Sequence, residues 1–250
     1  SLFFLDKIGI KTIKLSSGDI TNSKLIYDIA NLKKKIIFST GMADIKDIDK
    51  ALIFFFAGLK NIDLKKNNKL NFFQKNKSLS LLKHKVSLLH CTSSYPAKPK
   101  DLNLNSIQML SKRYDLEIGY SDHSEGIHLS IAAIALGATI IEKHFTLNKG
   151  YPGPDHKASI DVLELKELIK NIRDLQNSFG SFSKKPSKEE LNTSKLVRKG
   201  LYAKKKIKKN TIVKEEDIDI LRPENSCSPT DYWRIIGKRA KKDYEPGDSI

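Results

Sequence analysis

A parallel α/β fold followed by a small β-rich domain is the architecture this sequence predicts, on three observations. Apolar, β-rich segments recur at 12–16, 36–40, 86–92, 117–121 and 138–144. Stretches with the apolar period of an α-helix alternate with them, at 23–32, 45–56, 104–114 and 126–136. After Gly180 the apolar runs shorten and turn residues separate them. Strand–helix alternation is the pattern of a parallel sheet with crossover helices.

Taken in order, residues 1–7 read as the tail of a helix, and the first two strand–helix pairs follow directly. The Asn- and Lys-rich stretch 60–85 interrupts the alternation and reads as a surface insertion. A last helix over 161–179 sets Leu163, Leu165, Leu168, Ile169, Ile172 and Leu175 at helical spacing. Five βα units cannot close an eight-stranded barrel. The region 1–180 is therefore either a smaller open sheet or the C-terminal part of a longer barrel. Residues 181–196 are polar and read as a linker. From 197 to 250 come the short runs 200–203, 211–213, 218–221 and 235–240, with turns at 208–210 and 245–248. A domain of about 55 residues is marginally stable alone, which predicts that it docks on something.

An apolar fraction of 39% is ample for a packed core and excludes wholesale disorder. Cys91 and Cys227 provide no disulfide framework, which suits a reducing cytoplasm. The longest apolar run, 51–58, is far too short to span a bilayer, and residues 1–5 lack the basic lead and cleavage site of a secretory signal. The net charge of +16 raises the question of a nucleic-acid partner. The lysines, however, are scattered among Asn and Ile without the basic–aromatic interleaving of a stacking platform, so they read as solvated surface with a weak pull on anionic metabolites.

His123 and His144 carry the chemistry. Each closes an apolar run, and their separation of 21 positions suits a helix and the next strand. The C-terminal edge of a parallel sheet is where such folds do chemistry, and two histidines on adjacent strand ends can share one divalent ion. Hydrogen-bonded core or edge histidines are the alternative. Ser121 shares strand parity with His123, so both can face the same side. Of the other histidines, His90 reads as buried and structural, His84 and His128 as surface or helix residues, and His156 as a neighbour that supports the site.

Six motifs then occur in order: Ile13-Lys-Leu-Ser-Ser-Gly-Asp19, Phe38-Ser-Thr-Gly-Met42, Leu89-His-Cys-Thr-Ser-Ser-Tyr-Pro96, Tyr120-Ser-Asp-His123, Glu142-Lys-His-Phe-Thr146 and Pro152-Gly-Pro-Asp-His-Lys157. Together they resemble the N-acetylneuraminate (sialic acid) synthases and the related legionaminate and pseudaminate synthases. The tail from Arg198 through Leu221-Arg-Pro and Ile236-Gly-Lys-Arg-Ala240 resembles that family's antifreeze-like (SAF) domain. The resemblance implies a (β/α)8 barrel, of which this chain holds about the last five βα units. It implies condensation of phosphoenolpyruvate with the open-chain aldehyde of an N-acylated amino sugar, N-acetylmannosamine or a 2,4-diacetamido-6-deoxy hexose, with release of phosphate. It also implies a domain-swapped homodimer in which one subunit's SAF domain covers the other's site.

By the same resemblance His123 and His144 hold a divalent metal, Mn²⁺ with Mg²⁺ or Co²⁺ as alternatives, and act with Asp19 in catalysis. Lys14, Ser17, Ser39, Ser93 and Ser121 take the phosphoenolpyruvate, cations and hydroxyls being what a phosphate and a carboxylate require. Tyr95 and Asp155 lie near the sugar, and Arg198 reaches the partner's N-acyl group. Three positions depart from the family pattern. Asp19 stands where most relatives have Glu, which shortens that carboxylate's reach by one methylene. Lys199 and Gly200 stand where an Arg and a Ser are usual. A non-catalytic carbohydrate-binding relative is the competing reading, and the retained histidines, Lys14 and serines argue against it.

Overall fold

The computed structural model describes residues 2–66, 75–224 and 227–250. It comprises two units, Ser1–Phe179 and Gly180–Ile250. In the first, α1 (Leu2–Lys7) precedes β1 (Thr12–Leu15), α2 (Ser23–Asn31), β2 (Lys35–Ser39), α3 (Ile45–Leu59) and α4 (Lys75–Leu82). Then come β3 (Val86–Cys91), α5 (Asn105–Tyr114), β4 (Glu117–Asp122), α6 (His128–Ala135), β5 (Ile140–Lys143) and α7 (Val162–Ser178). All five strands are parallel and pair in sequential order, β1-β2-β3-β4-β5. That is an arc of a (β/α)8 barrel. Among the described residues β5 does not pair with β1.

Residue parity sorts the two faces of the arc. Ile13, Leu15, Ile36, Phe38, Val86, Leu88, Ile118 and Tyr120 join the helices in one apolar core, where Phe38 meets Phe55 edge-on at 6.2 Å. The alternate residues, among them Lys14, Ser39, Cys91, Ser121 and Glu142, occupy the other face. Lys14 and Glu142 show how strongly the sheet curls. They lie on β1 and β5, four strand spacings or about 19 Å apart on a flat sheet. Their side chains nevertheless meet at 3.1 Å.

Within 60–85, read as a surface insertion, 67–74 lie outside the described residues. The part that is described includes α4, whose Leu79 and Leu82 enter the core. The polar stretch 181–196 likewise includes most of α8 (Lys188–Val197), begun by a capping box of Ser187 and Glu190. In the second unit β6 (Gly200–Ala203) and β7 (Ile218–Leu221) pair antiparallel, and a four-residue helix α9 (Tyr232–Ile235) follows. Single bridges join Ile207 to Tyr244 and Ile212 to Arg239. The unit has its own small core of Leu201, Ala203, Ile207, Val213, Ile218, Ala240 and Tyr244.

Gly119, in the middle of β4, sets how tightly the arc packs. A Cβ there would lie 2.4 Å from Leu89 Cδ2 and 2.7 Å from the Ile140 carbonyl oxygen. One clash is with a neighbouring backbone, so a side-chain rotation does not relieve it. Gly119→Ala should lower stability by about 1–3 kcal/mol in denaturant titrations. An unchanged midpoint would contradict this packing.

Candidate active site

The sequence places polar residues wherever a strand gives way to its following loop. Ser16 and Ser17 follow β1, Ser39 ends β2, Ser93 and Tyr95 follow β3, and His123 and His144 directly follow β4 and β5. These strand ends surround a cavity of about 350 Å³, lined by Lys14, Ser17, Ser39, Ser93, Tyr95, Ser121, His123 and His144. Eight sequence-predicted residues thus meet in one place. Ser17 Oγ donates to Ser39 Oγ at 3.0 Å and accepts from the Gly41 N–H at 3.0 Å. A Cβ at Gly41 would lie 2.3 Å from Ser93 Oγ and 2.7 Å from Ser17 Oγ. Glycine is what allows the two hydroxyls to close on that point.

The histidine rings stand edge to face with centroids 5.3 Å apart, and Tyr95 lies over both, 4.2 Å from His123 and 5.6 Å from His144. His123 Nδ1 sits 2.9 Å from the Thr92 carbonyl oxygen. In that tautomer Nδ1–H donates and Nε2 keeps its lone pair, the arrangement that orients a metal-ligating imidazole. His144 Nδ1 faces Asp155 Oδ2 at 3.9 Å. Among the described residues no group of three or more His, Cys, Asp or Glu is placed to hold a metal. Two imidazoles are a donor set that would suit a divalent ion with several open positions.

Asp19, Asp155 and Arg198 are not among the residues lining this cavity. Asp19 accepts from Ser16 Oγ at 2.9 Å in the short turn after β1. Arg198 is exposed at the C-cap of α8, in the second unit. Asp155 is exposed, and the Ser159 N–H and Oγ both donate to its backbone oxygen. His156 faces Thr146 Oγ1 at 2.8 Å, beside Tyr151. His90 is the buried structural histidine the sequence suggested: its ring contacts the Leu102 carbonyl at 2.6 Å and stacks on Tyr120. Burial holds its pKa below the usual imidazole value.

Four residues that sequence reasoning passed over belong to the site. Glu142 lines the cavity and pairs with Lys14 at 3.1 Å. Its signal was parity, since it shares the face of His144. Cys91 lies beside His123, Sγ to Nδ1 at 3.8 Å. Burial pushes its thiol up, but hydrogen bonds with His123, Ser39 and Ser121 and the charge of His123 outweigh it and bring the pKa down to about 7. Burial pulls His123 down in turn, and Cys91, the Thr92 carbonyl and the charge of Glu142 together leave it raised.

The other two are Asp122 and Lys143, each the immediate neighbour of one histidine and register partners across β4 and β5. Lys143 Nζ meets Asp122 Oδ2 at 2.9 Å with both side chains nearly inaccessible, 4% and 0%, and it donates to the Ser124 carbonyl at 2.8 Å. Asp122 also accepts from the Ser124 N–H and hydroxyl and from Ser130 Oγ. Burial alone would raise this carboxyl; the two serines and Lys143 outweigh it and hold it below the usual carboxylate range.

Sequence comparison places the chain. Residues 1–184 match the NeuB family model and residues 198–250 match the SAF domain model. The chain belongs to the NeuB family and carries a SAF domain. It is 43% identical over 250 residues to the N,N'-diacetyllegionaminic acid synthase of Campylobacter jejuni, matching all of this chain and 69% of that protein. It is 30% identical over 249 residues to the human N-acetylneuraminate-9-phosphate synthase, covering 99% of this chain and 63% of that one. Among solved structures, the N-acetylneuraminic acid (sialic acid) synthetase of Leptospira borgpetersenii superposes with a TM-score of 0.61 at 33% identity, over 77% of this chain and 59% of the other. The chain thus spans about two thirds of the length of these relatives.

The buried ion pair gives the site its testable electrostatics. Lys143→Met leaves Asp122 buried without its cation and should cost about 3–5 kcal/mol in equilibrium unfolding. Adding Asp122→Asn should recover much of that loss. Because the folded-state pKa of Asp122 is depressed, its stabilisation is fully present above the ordinary carboxylate range and is lost as pH falls through the lower folded-state value. Asp122→Asn should therefore flatten the acid limb of stability against pH; an unchanged limb would contradict the assignment.

Proposed function

We propose that this chain supplies the metal-binding and phosphoenolpyruvate-binding part of a synthase that condenses phosphoenolpyruvate with an N-acylated amino sugar to give a nonulosonic (sialic) acid and phosphate. The observation that carries this reading is the convergence of Lys14, four serine hydroxyls and two histidines on one cavity at the C-terminal strand ends. Lys14, Ser17, Ser39, Ser93 and Ser121 offer the cation and donors that a phosphate and a carboxylate need. In the reaction, the enol carbon C3 of phosphoenolpyruvate bonds to the sugar's aldehyde carbon, whose oxygen takes a proton. Water adds at C2, the C2–O bond to phosphorus breaks, and inorganic phosphate leaves.

His123 and His144 would hold the divalent ion, Mn²⁺ in our reading, and its contribution when bound is Lewis-acid polarisation of the aldehyde. Tyr95 covers the imidazoles and excludes water from that side. Asp155, beside His144, is placed to accept sugar hydroxyls. Asp19 sits one turn beyond Ser16 and Ser17, where a carboxylate can bear on proton transfer or on the sugar. The small domain of one subunit would cover the site of a second in a swapped homodimer, bringing Arg198 to the N-acyl group. The identity to the N,N'-diacetyllegionaminic acid synthase, 43%, is higher than that to the Leptospira N-acetylneuraminic acid synthetase, 33%, which supports a 2,4-diacetamido-6-deoxy hexose over N-acetylmannosamine. A cytoplasmic location follows from these substrates; among the described residues no helix is long and apolar enough to cross a membrane.

Phosphate release by the intact protein tests the reading. Release should require phosphoenolpyruvate, an N-acylated amino sugar and a divalent ion together, with the higher kcat/KM for the diacetamido sugar. His123→Ala and His144→Ala should each lower kcat by more than about a hundredfold, and excess Mn²⁺ should not restore it. Full activity in both variants and after chelation would sink the proposal.

A further inference from the structure

Glu142 has two unusual surroundings at once. One carboxylate oxygen, Oε1, pairs with Lys14 Nζ across the curled sheet at 3.1 Å. The other, Oε2, is buried and has no hydrogen-bond partner among the described residues. Both side chains line the cavity and remain 39% accessible. Resting on the function proposed above, we infer that the Lys14–Glu142 pair is an exchange device: Lys14 leaves Glu142 for the incoming phosphoenolpyruvate, and Glu142 then accepts a hydrogen bond from a hydroxyl of the amino sugar.

The charges decide the first half. Lys14 is a cation on the cavity wall among the serine hydroxyls, Lys143 there being buried against Asp122, and an anion in the cavity competes with Glu142 for Lys14. Every anion that binds must break the pair and tolerate a carboxylate beside it, so Glu142 weakens phosphoenolpyruvate binding. Hydrogen-bond inventory decides the second half. Once Lys14 has moved, both oxygens of Glu142 want donors, since an unpaired buried acceptor is costly. Ionised phosphoenolpyruvate has no O–H to give, whereas the sugar has several. Ser121, the register partner of Glu142 on β4, and His144, two residues along β5, place that acceptor between the two substrates' groups. Glu142 is thus a specificity residue for the sugar and a positioning residue for Lys14.

The test is Glu142→Gln in the intact protein, with Glu142→Ala as a second variant, both checked for fold by circular dichroism and thermal unfolding. Calorimetric titration with phosphoenolpyruvate and with inorganic phosphate should show binding about fivefold tighter than wild type in both. Steady-state kinetics should show KM for phosphoenolpyruvate falling while KM for the amino sugar rises and kcat drops. A merely structural glutamate would weaken both substrates together, and that result, or unchanged anion affinity, would overturn the inference while leaving the synthase reading intact. If the wild-type protein itself bound neither anion, the synthase reading and this inference would both fall.

Discussion

The geometry of the candidate site rests on the buried ion pair of Asp122 and Lys143. Each is the chain neighbour of one histidine, and they are partners in the β4–β5 ladder. A one-residue slip between these strands would bury both charges without partners, at a cost of several kcal/mol per ion, and would turn one histidine to the opposite face of the sheet. The pair therefore selects a single register. In that register the two imidazoles meet at 5.3 Å, close enough to share one ion. Ser124 and Ser130 complete the arrangement by satisfying the remaining lone pairs of Asp122, without which a buried ion pair is rarely worth its desolvation.

A division of labour between the two faces of the sheet follows from parity alone. Outward residues, apart from the paired Asp122 and Lys143, are apolar and are fixed by the helices, so the strands have little freedom to shift. Inward residues near the strands' C-terminal ends are polar and carry the functional groups. Gly119 and Gly41 are the two positions where the absence of a side chain matters most to this face: the first admits Leu89 and Ile140 against β4, the second lets Ser17 and Ser93 converge. Curvature does the rest, bringing β1 and β5 close enough for Lys14 to reach Glu142.

Much of this could be read from the sequence, for a physical reason. Strands buried by helices are continuous apolar runs, and helices between them keep the 3.6 period, so element order and boundaries came within a few residues throughout the sheet. The strand-end histidines and serines were visible as polar interruptions at the close of those runs. What composition obscured was α4, where Leu79 and Leu82 reach the core from a lysine-rich segment, and α8, whose Ser187–Glu190 capping box lay in a stretch polar enough to read as a linker. Asp122, Lys143 and Glu142 were harder. Their roles depend on register and curl, which place residues from different strands together and which no single-strand pattern contains. Asp19 and Arg198 show the converse, since motif position alone identified them and the cavity of the first unit does not include them.

We propose that His123 and His144 bind one divalent ion between them. Paramagnetic broadening of imidazole NMR signals during a Mn²⁺ titration of the intact protein measures this most directly. The signals of His123 and His144 should broaden together, with broadening complete at one equivalent, while those of the exposed His84 and His128 stay sharp. Broadening of only one of the pair, or of the surface histidines first, would contradict it.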